Sequence, residues 1–263
     1  MAELDATIRN RVGALIEWGE LPLPVLSEAA NQVMSLVQKP RCEMHELATV
    51  IERDANLTAH LLQLVRSPVY AGAVRVSSVA QIVVRLGFAT IMQLTLAITS
   101  KRVFVAPGFE SELRDGFRHA FTTALFAQRI ARMRRSSVDT AFIAGLLHDI
   151  GQPVLIQVLV DQHREHGVPI DREAILDYAK AAHEEAGAAL ATRWAVAPVV
   201  GEAIARHHAP AGHELAHVVA LADALAHGAD AGPHPSALNL YPDDVDALRR
   251  ETESVVATVE AAS

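Results

Sequence analysis

Cysteine is almost missing: Cys42 is the only one in 263 residues. An intramolecular disulfide and a thiolate metal cluster are both excluded, and a reducing compartment fits. An excess of basic charge is missing too. The chain carries 23 Lys+Arg against 31 Asp+Glu, a net charge of −8 with a pI near 5.9. That balance lacks the Lys/Arg footprint by which proteins displace counterions from phosphate backbones, so no nucleic-acid partner is expected. Aromatic residues make up only 5% of the chain, and β-branched alternation is scarce, which argues against a sheet. No uninterrupted membrane-length apolar run exists. The longest, 76–99, is broken by Gln81, Arg85, Gly87 and Gln93, and an Arg at mid-bilayer depth costs a few kcal/mol. It reads as core helices, and no membrane association is expected. The acidic start Met1-Ala2-Glu3-Leu4-Asp5 is unlike a secretory signal, so a cytoplasmic location is expected.

With 51% apolar and 21% charged residues the chain can bury a core. Ala, Leu, Val, Glu and Arg recur at helical spacing, and the fold class is all-α. In 43–65 the apolar residues Leu47, Val50, Ile51, Leu57, Leu61, Leu62 and Val65 predict two short helices, with Asn56 as the N-cap of the second. Ser78 followed by Gln81 matches a capping box, and Gly87 suits a helix end, predicting a helix over 79–86 and another after Phe88. Pro22, Pro24, Pro40 and Pro68 divide the first part into short pieces. Ala106-Pro107-Gly108 marks a boundary between an N-terminal helical part, 1–105, and a helical core, 106–235. The core is punctuated at Ser136-Ser137, Gly151-Gln152-Pro153, His166-Gly167-Val168-Pro169, Pro198 and Pro210. A polar linker over 234–242 then precedes one amphipathic helix over 243–260 in a C-terminal segment, 236–263. All three parts are expected to form one cooperative unit.

Histidine is abundant, at 13 residues. Five stand with two aspartates in helical contexts: His119, the pair His148-Asp149, His183, His207-His208 and Asp223. Imidazole nitrogens with carboxylate oxygens form the ligand set of Zn, Mn or Fe(II), and one carboxylate can bridge two ions. Neighbours on a helix point about 100° apart, so His148 and Asp149 converge on one ion only near a helix end, which Gly151 and Pro153 would supply. Asp223 lies in the apolar run Leu221-Ala222-Asp223-Ala224-Leu225. There it either marks the wet edge of a helix or meets a cation that offsets the cost of burial. His45, His60, His163, His166, His213, His217, His227 and His234 read as surface or hydrogen-bonded residues. The cluster Arg129, Arg132, Arg134 and Arg135 suits a helix C-terminus favoured by the macrodipole, or else a phosphate-bearing or acidic partner.

The segment Ala144-Gly145-Leu146-Leu147-His148-Asp149-Ile150-Gly151, with His119 upstream and Asp223 downstream, resembles the H…HD…D pattern of the HD-domain metal phosphohydrolases. Leu21-Pro22-Leu23-Pro24, the stretch from Ile51-Glu52-Arg53-Asp54 to His60-Leu61-Leu62, Ser67-Pro68-Val69-Tyr70 and Val84-Arg85-Leu86-Gly87 narrow it to the HDOD branch. His183-Glu184-Glu185-Ala186-Gly187, Trp194 and Arg206-His207-His208-Ala209-Pro210 fit the same branch. The resemblance implies a compact multi-helix HD-like fold with an N-terminal helical subdomain. It also implies a bacterial signal-output role through protein partners in a signalling pathway, with a nucleotide as candidate ligand. All HD-type ligand positions are kept: His119, His148, Asp149, His183, His207, His208 and Asp223. They imply one or two divalent transition-metal ions (Fe, Mn, Zn or Ni), with Asp149 as the candidate catalytic group. Two features depart from active relatives, and a third from the family's own pattern. Gln152 replaces a lysine able to neutralise phosphate, Ala209-Pro210 stands where cyclic-di-GMP phosphodiesterases carry a Gly-Tyr-Pro loop, and Arg66-Ser67 replaces Asn-Ser. A regulatory module is therefore expected first, and a metal-dependent phosphohydrolase acting on a nucleotide or cyclic nucleotide second. With 20 residues ahead of Leu21 and about 36 after His227, no separate input domain is expected.

Overall fold

The computed structural model describes residues 4–22, 28, 32, 36, 43–65, 78–84, 91, 106–194 and 196–262. Among them every regular element is helical. The expected helix after Phe88, its Gly87 boundary, the Ser67-Pro68-Val69-Tyr70 motif, Arg66, Cys42, Pro24, Pro40 and most of the apolar run 76–99 lie outside the described residues.

The chain forms two compact units that interleave in sequence. One comprises Met1–Pro24 with Phe104–Val245, and the other Val25–Val103 with Asp246–Ser263. In the first, α1 (Ala6–Glu17) is capped by Asp5, whose carboxylate accepts the backbone N–H of Thr7 at 2.9 Å and of Ile8 at 3.2 Å. Ile8, Val12 and Ile16, four residues apart, form its buried stripe.

The second unit contains α2 (Met44–Arg53) and α3 (Ala55–Val65), which pack together through Leu47, Val50, Ile51, Leu57, Leu61 and Val65. The N-cap of α3 is Asp54, not Asn56: the Asp54 carboxylate accepts the Leu57 N–H at 3.0 Å, two residues earlier than expected. Ser78 Oγ accepts the Gln81 N–H at 3.3 Å and opens a helical segment described over 79–84.

The functional architecture lies in the first unit. It continues with α4 (Glu110–Arg134), α5 (Val138–Leu147), α6 (Gly151–His166), α7 (Arg172–Arg193), α8 (Pro198–Ile204), α9 (Glu214–Ala226) and α10 (His234–Ala237). Helices α4, α5 and α9 pack on one another, α6 and α7 pair, α8 touches α5, α7 and α9, and α1 covers α6 and α7. Ser137 Oγ and the Asp171 carboxylate cap α5 and α7. An apolar core of Ile8, Val12, Phe109, Val154, Leu155, Leu159, Ile175 and Leu190 lies among α1, α6 and α7. A second, of Ala144, Val200, Ile204, Ala216 and Val219, joins α5, α8 and α9. The stretch Val138–His166 is long and apolar enough to cross a membrane, but 67% of its most apolar window is buried within the protein, as in a core helix pair.

Two expectations at the C-terminal end are corrected. The stretch 234–242 is not a plain polar linker, since it holds α10 and the fully buried Leu238. The single final helix is two, α11 (Pro242–Arg250) and α12 (Thr252–Ala262), broken at Glu251. Its N–H bonds the Leu248 carbonyl, a tight i→i−3 turn. Helix α12 packs on α3.

Candidate metal centre

Close helix approach assembles the site. A Cβ on Gly145 would lie 2.8 Å from the Ala124 Cα, so α5 meets α4 backbone to backbone, within two turns of His148 on one helix and of His119 on the other. A Cβ on Gly151 would lie 2.1 Å from the carbonyl oxygen of His183, which only glycine permits. The helix end expected beside His148-Asp149 is there, and Gly151 is the first residue of the next helix, α6; its lack of a side chain lets that helix start lie against the middle of α7. His148, Asp149 and Ile150 form the turn between α5 and α6, with His148 in right-handed helical conformation.

Each ligand type then arrives from a different element. His119 comes from the middle of α4, His183 from the apolar face of α7 with Ala179, Ala186 and Leu190, and His207-His208 from the turn after α8. Asp223 comes from the last turn of α9. All seven residues singled out from sequence converge. Asp149 stands at the centre with its two oxygens facing opposite groups. Oδ1 lies 3.3 Å from His183 Nε2 and 3.4 Å from His207 Nε2. Oδ2 lies 3.4 Å from His148 Nε2 and 3.9 Å from His119 Nε2. Asp223 Oδ1 closes the second group, 2.9 Å from His119 Nε2 and 3.8 Å from His148 Nε2. His208 Nε2 closes the first, 3.2 Å from His183 Nε2.

The imidazoles are held in one orientation by their other nitrogens. His148 Nδ1 bonds the Gly145 carbonyl at 2.8 Å, His183 Nδ1 the Lys180 carbonyl at 2.6 Å, and His207 Nδ1 the Ile204 carbonyl at 2.8 Å, each three residues upstream. A carbonyl can only accept, so all three Nδ1 atoms carry the proton and, in the neutral rings, all three Nε2 atoms present lone pairs. His119 Nε2 lies 3.3 Å from His148 Nε2 and 2.9 Å from Asp223 Oδ1, and can donate to either, but Nε2 of His183 and of His207 are 3.2 Å apart. Facing lone pairs at that distance repel unless a proton or a cation sits between them. His148, His183 and His207 are buried, with no water-facing alternative.

The acid groups are tuned to match. Burial works against the charge of Asp149, but the adjacent His148, together with His207 and His183, outweighs it and holds the carboxyl far below its ordinary value. Asp223 is likewise opposed by burial and brought down to about 2 by His119, His148 and His227. For His148 burial is the largest influence and disfavours charge, but Asp149 and Asp223 together raise it above its usual value. His208 is lowered by burial and by neighbouring His207. Two ionised carboxylates inside a ring of imidazoles are a cation site in charge as well as in donor set. Three groups have donor atoms close enough together to hold a metal ion: Asp149, His183, His207 and His208 on one side of Asp149, His119, His148 and Asp149 on the other, and His119, Asp223 and His227 at the rim.

His227, read from sequence as a surface or hydrogen-bonded residue, is both, and it also stands at the cluster: its Nδ1 is 3.0 Å from Asp223 Oδ1 and its ring centroid 4.2 Å from that of His119. The signal was its place four residues after Asp223, hence on the same helix face. His163 is buried and bonded to the Leu159 carbonyl, His213 pairs with Glu202, and His217 meets His234. Glu184 was also passed over. It accepts the His208 N–H at 3.2 Å and approaches His207 Nδ1 at 3.6 Å, steadying the two-histidine turn. In the arginine cluster, Arg134 pairs with Glu214 at 3.1 Å and Arg129 bonds the Leu125 carbonyl, as a helix end would.

Comparison with known proteins places this architecture. The HDOD domain family matches residues 23–210. An uncharacterised protein of Treponema pallidum is 25% identical over 217 residues, 78% of this chain. The chain spans only 40% of that relative's length. Among solved structures, a candidate signal transduction protein of Marinobacter aquaeolei is 27% identical with a TM-score of 0.71, covering 100% of this chain and 67% of its own. A candidate metal-dependent phosphohydrolase of Shewanella amazonensis has a TM-score of 0.75 at 20% identity, covering 96% of this chain and 98% of its own. An HDOD domain protein of Geobacter sulfurreducens has a TM-score of 0.70 at 21% identity, covering 97% and 98%. The helical fold is the HDOD fold.

Proposed function

Because the chain belongs to the HDOD domain family, we propose that it is a bacterial, cytoplasmic signal-output module. In this reading it acts through protein contacts and holds two divalent transition-metal ions (Fe, Mn, Zn or Ni) about Asp149. The observation that carries the metal half of the proposal is the pair of Nε2 lone pairs, of His183 and His207, locked face to face beside one ionised carboxylate. His119, His148, Asp149 Oδ2 and Asp223 hold the outer ion, and Asp149 Oδ1, His183, His207 and His208 hold the inner one. The Nδ1–H bonds to backbone carbonyls keep the rings turned inward. A divalent pair supplies Lewis acidity toward a phosphoryl oxygen, so a nucleotide phosphate is the ligand chemistry the pocket suits.

The regulatory half rests on what surrounds that pair. Gln152, in the first turn of α6, brings no cation to a phosphate, and Ala209-Pro210 after His207-His208 offers no substrate-gripping loop. The Marinobacter aquaeolei relative, whose name points to signal transduction, supports the same reading at 27% identity. The complete ligand set favours a second reading, a metal-dependent phosphohydrolase acting on a nucleotide or cyclic nucleotide, with Asp149 in the role of catalytic carboxylate. Assay of the full chain with cyclic-di-GMP and added Mn or Fe(II) separates the two. No turnover, or turnover far below about 1 s⁻¹, is expected. Ordinary enzymatic rates would promote the phosphohydrolase.

A further inference from the structure

His227 belongs to none of the ligand pairs required by the arrangement just described, yet it touches two members of the outer half. It is the C-cap residue of α9, and its backbone N–H bonds the Asp223 carbonyl at 3.0 Å. The turn that follows is closed by Gly228 at φ 64 and by the Ala229 N–H on the Ala224 carbonyl at 2.8 Å, a C-cap geometry that fixes where the His227 side chain leaves the helix. From there Nδ1 lies 3.0 Å from Asp223 Oδ1 and 3.2 Å from the Asp223 carbonyl oxygen. Both atoms accept, so Nδ1 carries the hydrogen and shares it between them. The ring leans on that of His119 with centroids 4.2 Å apart. It thus holds a carboxylate ligand by a hydrogen bond and an imidazole ligand by ring contact, from the solvent side. The His227 side chain is 60% exposed, against 22% for Asp223.

We propose that His227 is a positioning residue and outer cover of the metal centre, which sets the affinity and release rate of the outer ion while leaving the inner ion untouched. The proposal rests on the two-ion reading above. Its physical basis is asymmetry. The rings of His148, His183 and His207 are each steadied by a backbone carbonyl inside the core, whereas among the described residues no carbonyl bonds the ring of His119, and Asp223 sits at the rim of the cluster. Their orientation is supplied instead by one exposed imidazole. Hydrogen-bond partners of metal ligands are commonly worth about 10–100-fold in metal affinity.

The test titrates the metal-stripped full chain with Co2+, reading each equivalent by its visible absorption, then follows release into excess EDTA. Wild type is compared with His227→Ala and His227→Asn, whose amide N–H can stand where Nδ1–H stands. In His227→Ala one of two equivalents should bind about 10–100-fold more weakly and leave correspondingly faster, with the second unchanged. His227→Asn should recover most of both losses. Unaltered binding of both ions in His227→Ala overturns the proposal. So does equal weakening of both ions, which would mean general structural damage, or a failure of His227→Asn to rescue. A wild-type chain that binds fewer than two ions fails differently, because it removes the two-ion reading itself.

Discussion

His183 and His207 reach Asp149 Oδ1 with side chains only 4% and 1% exposed, with exposed His208 closing that side, whereas on the Oδ2 side buried His148 is joined by His119 and Asp223 at 17% and 22%. The two halves share one carboxylate but differ in donors, three imidazoles on the Oδ1 side against two imidazoles and a second carboxylate on the Oδ2 side. The packing around them differs too. The inner half is built where α7 meets the start of α6 and the turn after α8, behind Gly151 and Gly187. The outer half lies between α4 and the last turn of α9, with His227 over it. A cation held inside is expected to exchange slowly, and one held outside quickly.

The largest effect should come from breaking what the halves share. Asp149→Ala removes the bridging carboxylate, so the metal content of protein purified without chelator should fall from two ions to none or nearly none. The melting temperature should lose its dependence on added metal. A ligand present at a thousandfold its Kd stabilises by about 4 kcal/mol, which sets the scale of that loss. Next come substitutions that separate the halves. His207→Ala should remove the inner ion and, by opening a void in the core, destabilise even the metal-free protein by about 2 kcal/mol or more. Asp223→Ala should remove only the outer ion and change metal-free melting less. Equal metal loss in both variants would show that the two halves are one site.

A smaller effect sharpens the comparison from the backbone. Gly151→Ala places a methyl against the His183 carbonyl. Relief requires α6 and α7 to part, at a cost of about 1–3 kcal/mol, and the inner ion should weaken more than the outer. Thermal melting and per-site Co2+ affinity check both.

The smallest effect is the pH response. In the metal-free chain His148 is held above its usual value, so its contribution to stability is present below about pH 6.5 and is lost as pH rises through the raised folded value. Metal-free protein should therefore soften from pH 6 to pH 8. Ion binding runs the other way, since the imidazoles must be unprotonated to ligate. The gap in melting temperature between loaded and stripped protein should widen across that interval, and a constant gap would speak against histidine ligation.

The seven ligating candidates and the helical class were legible from residue type and local spacing. Both depend on short-range pattern: the His148-Asp149 pair, the two-histidine turn, apolar residues three and four apart. The approach of His227 to the cluster carried one local mark, its place four residues after Asp223, while its contact with His119 joins residues far apart in sequence and left none. Asp54 displaced Asn56 as the cap because either residue satisfies the same rule, and which carboxyl or amide meets the N–H depends on where the turn closes. The break at Glu251 and the burial of Leu238 were hidden for another reason. A polar, proline-bearing stretch and an amphipathic one look alike whether or not a tertiary surface receives them. The close approach that Gly151 permits was hidden for the same cause, since the carbonyl it makes room for lies on another helix.

The most direct test of two ions sharing one carboxylate is anomalous X-ray scattering from crystals of the full chain grown with Mn or Zn. The account predicts two peaks flanking the Asp149 carboxylate, one within ligand distance of His183, His207 and His208, the other of His119, His148 and Asp223. A brief soak in chelator should empty the second first. A single peak, peaks away from Asp149, or none at saturating metal would contradict it.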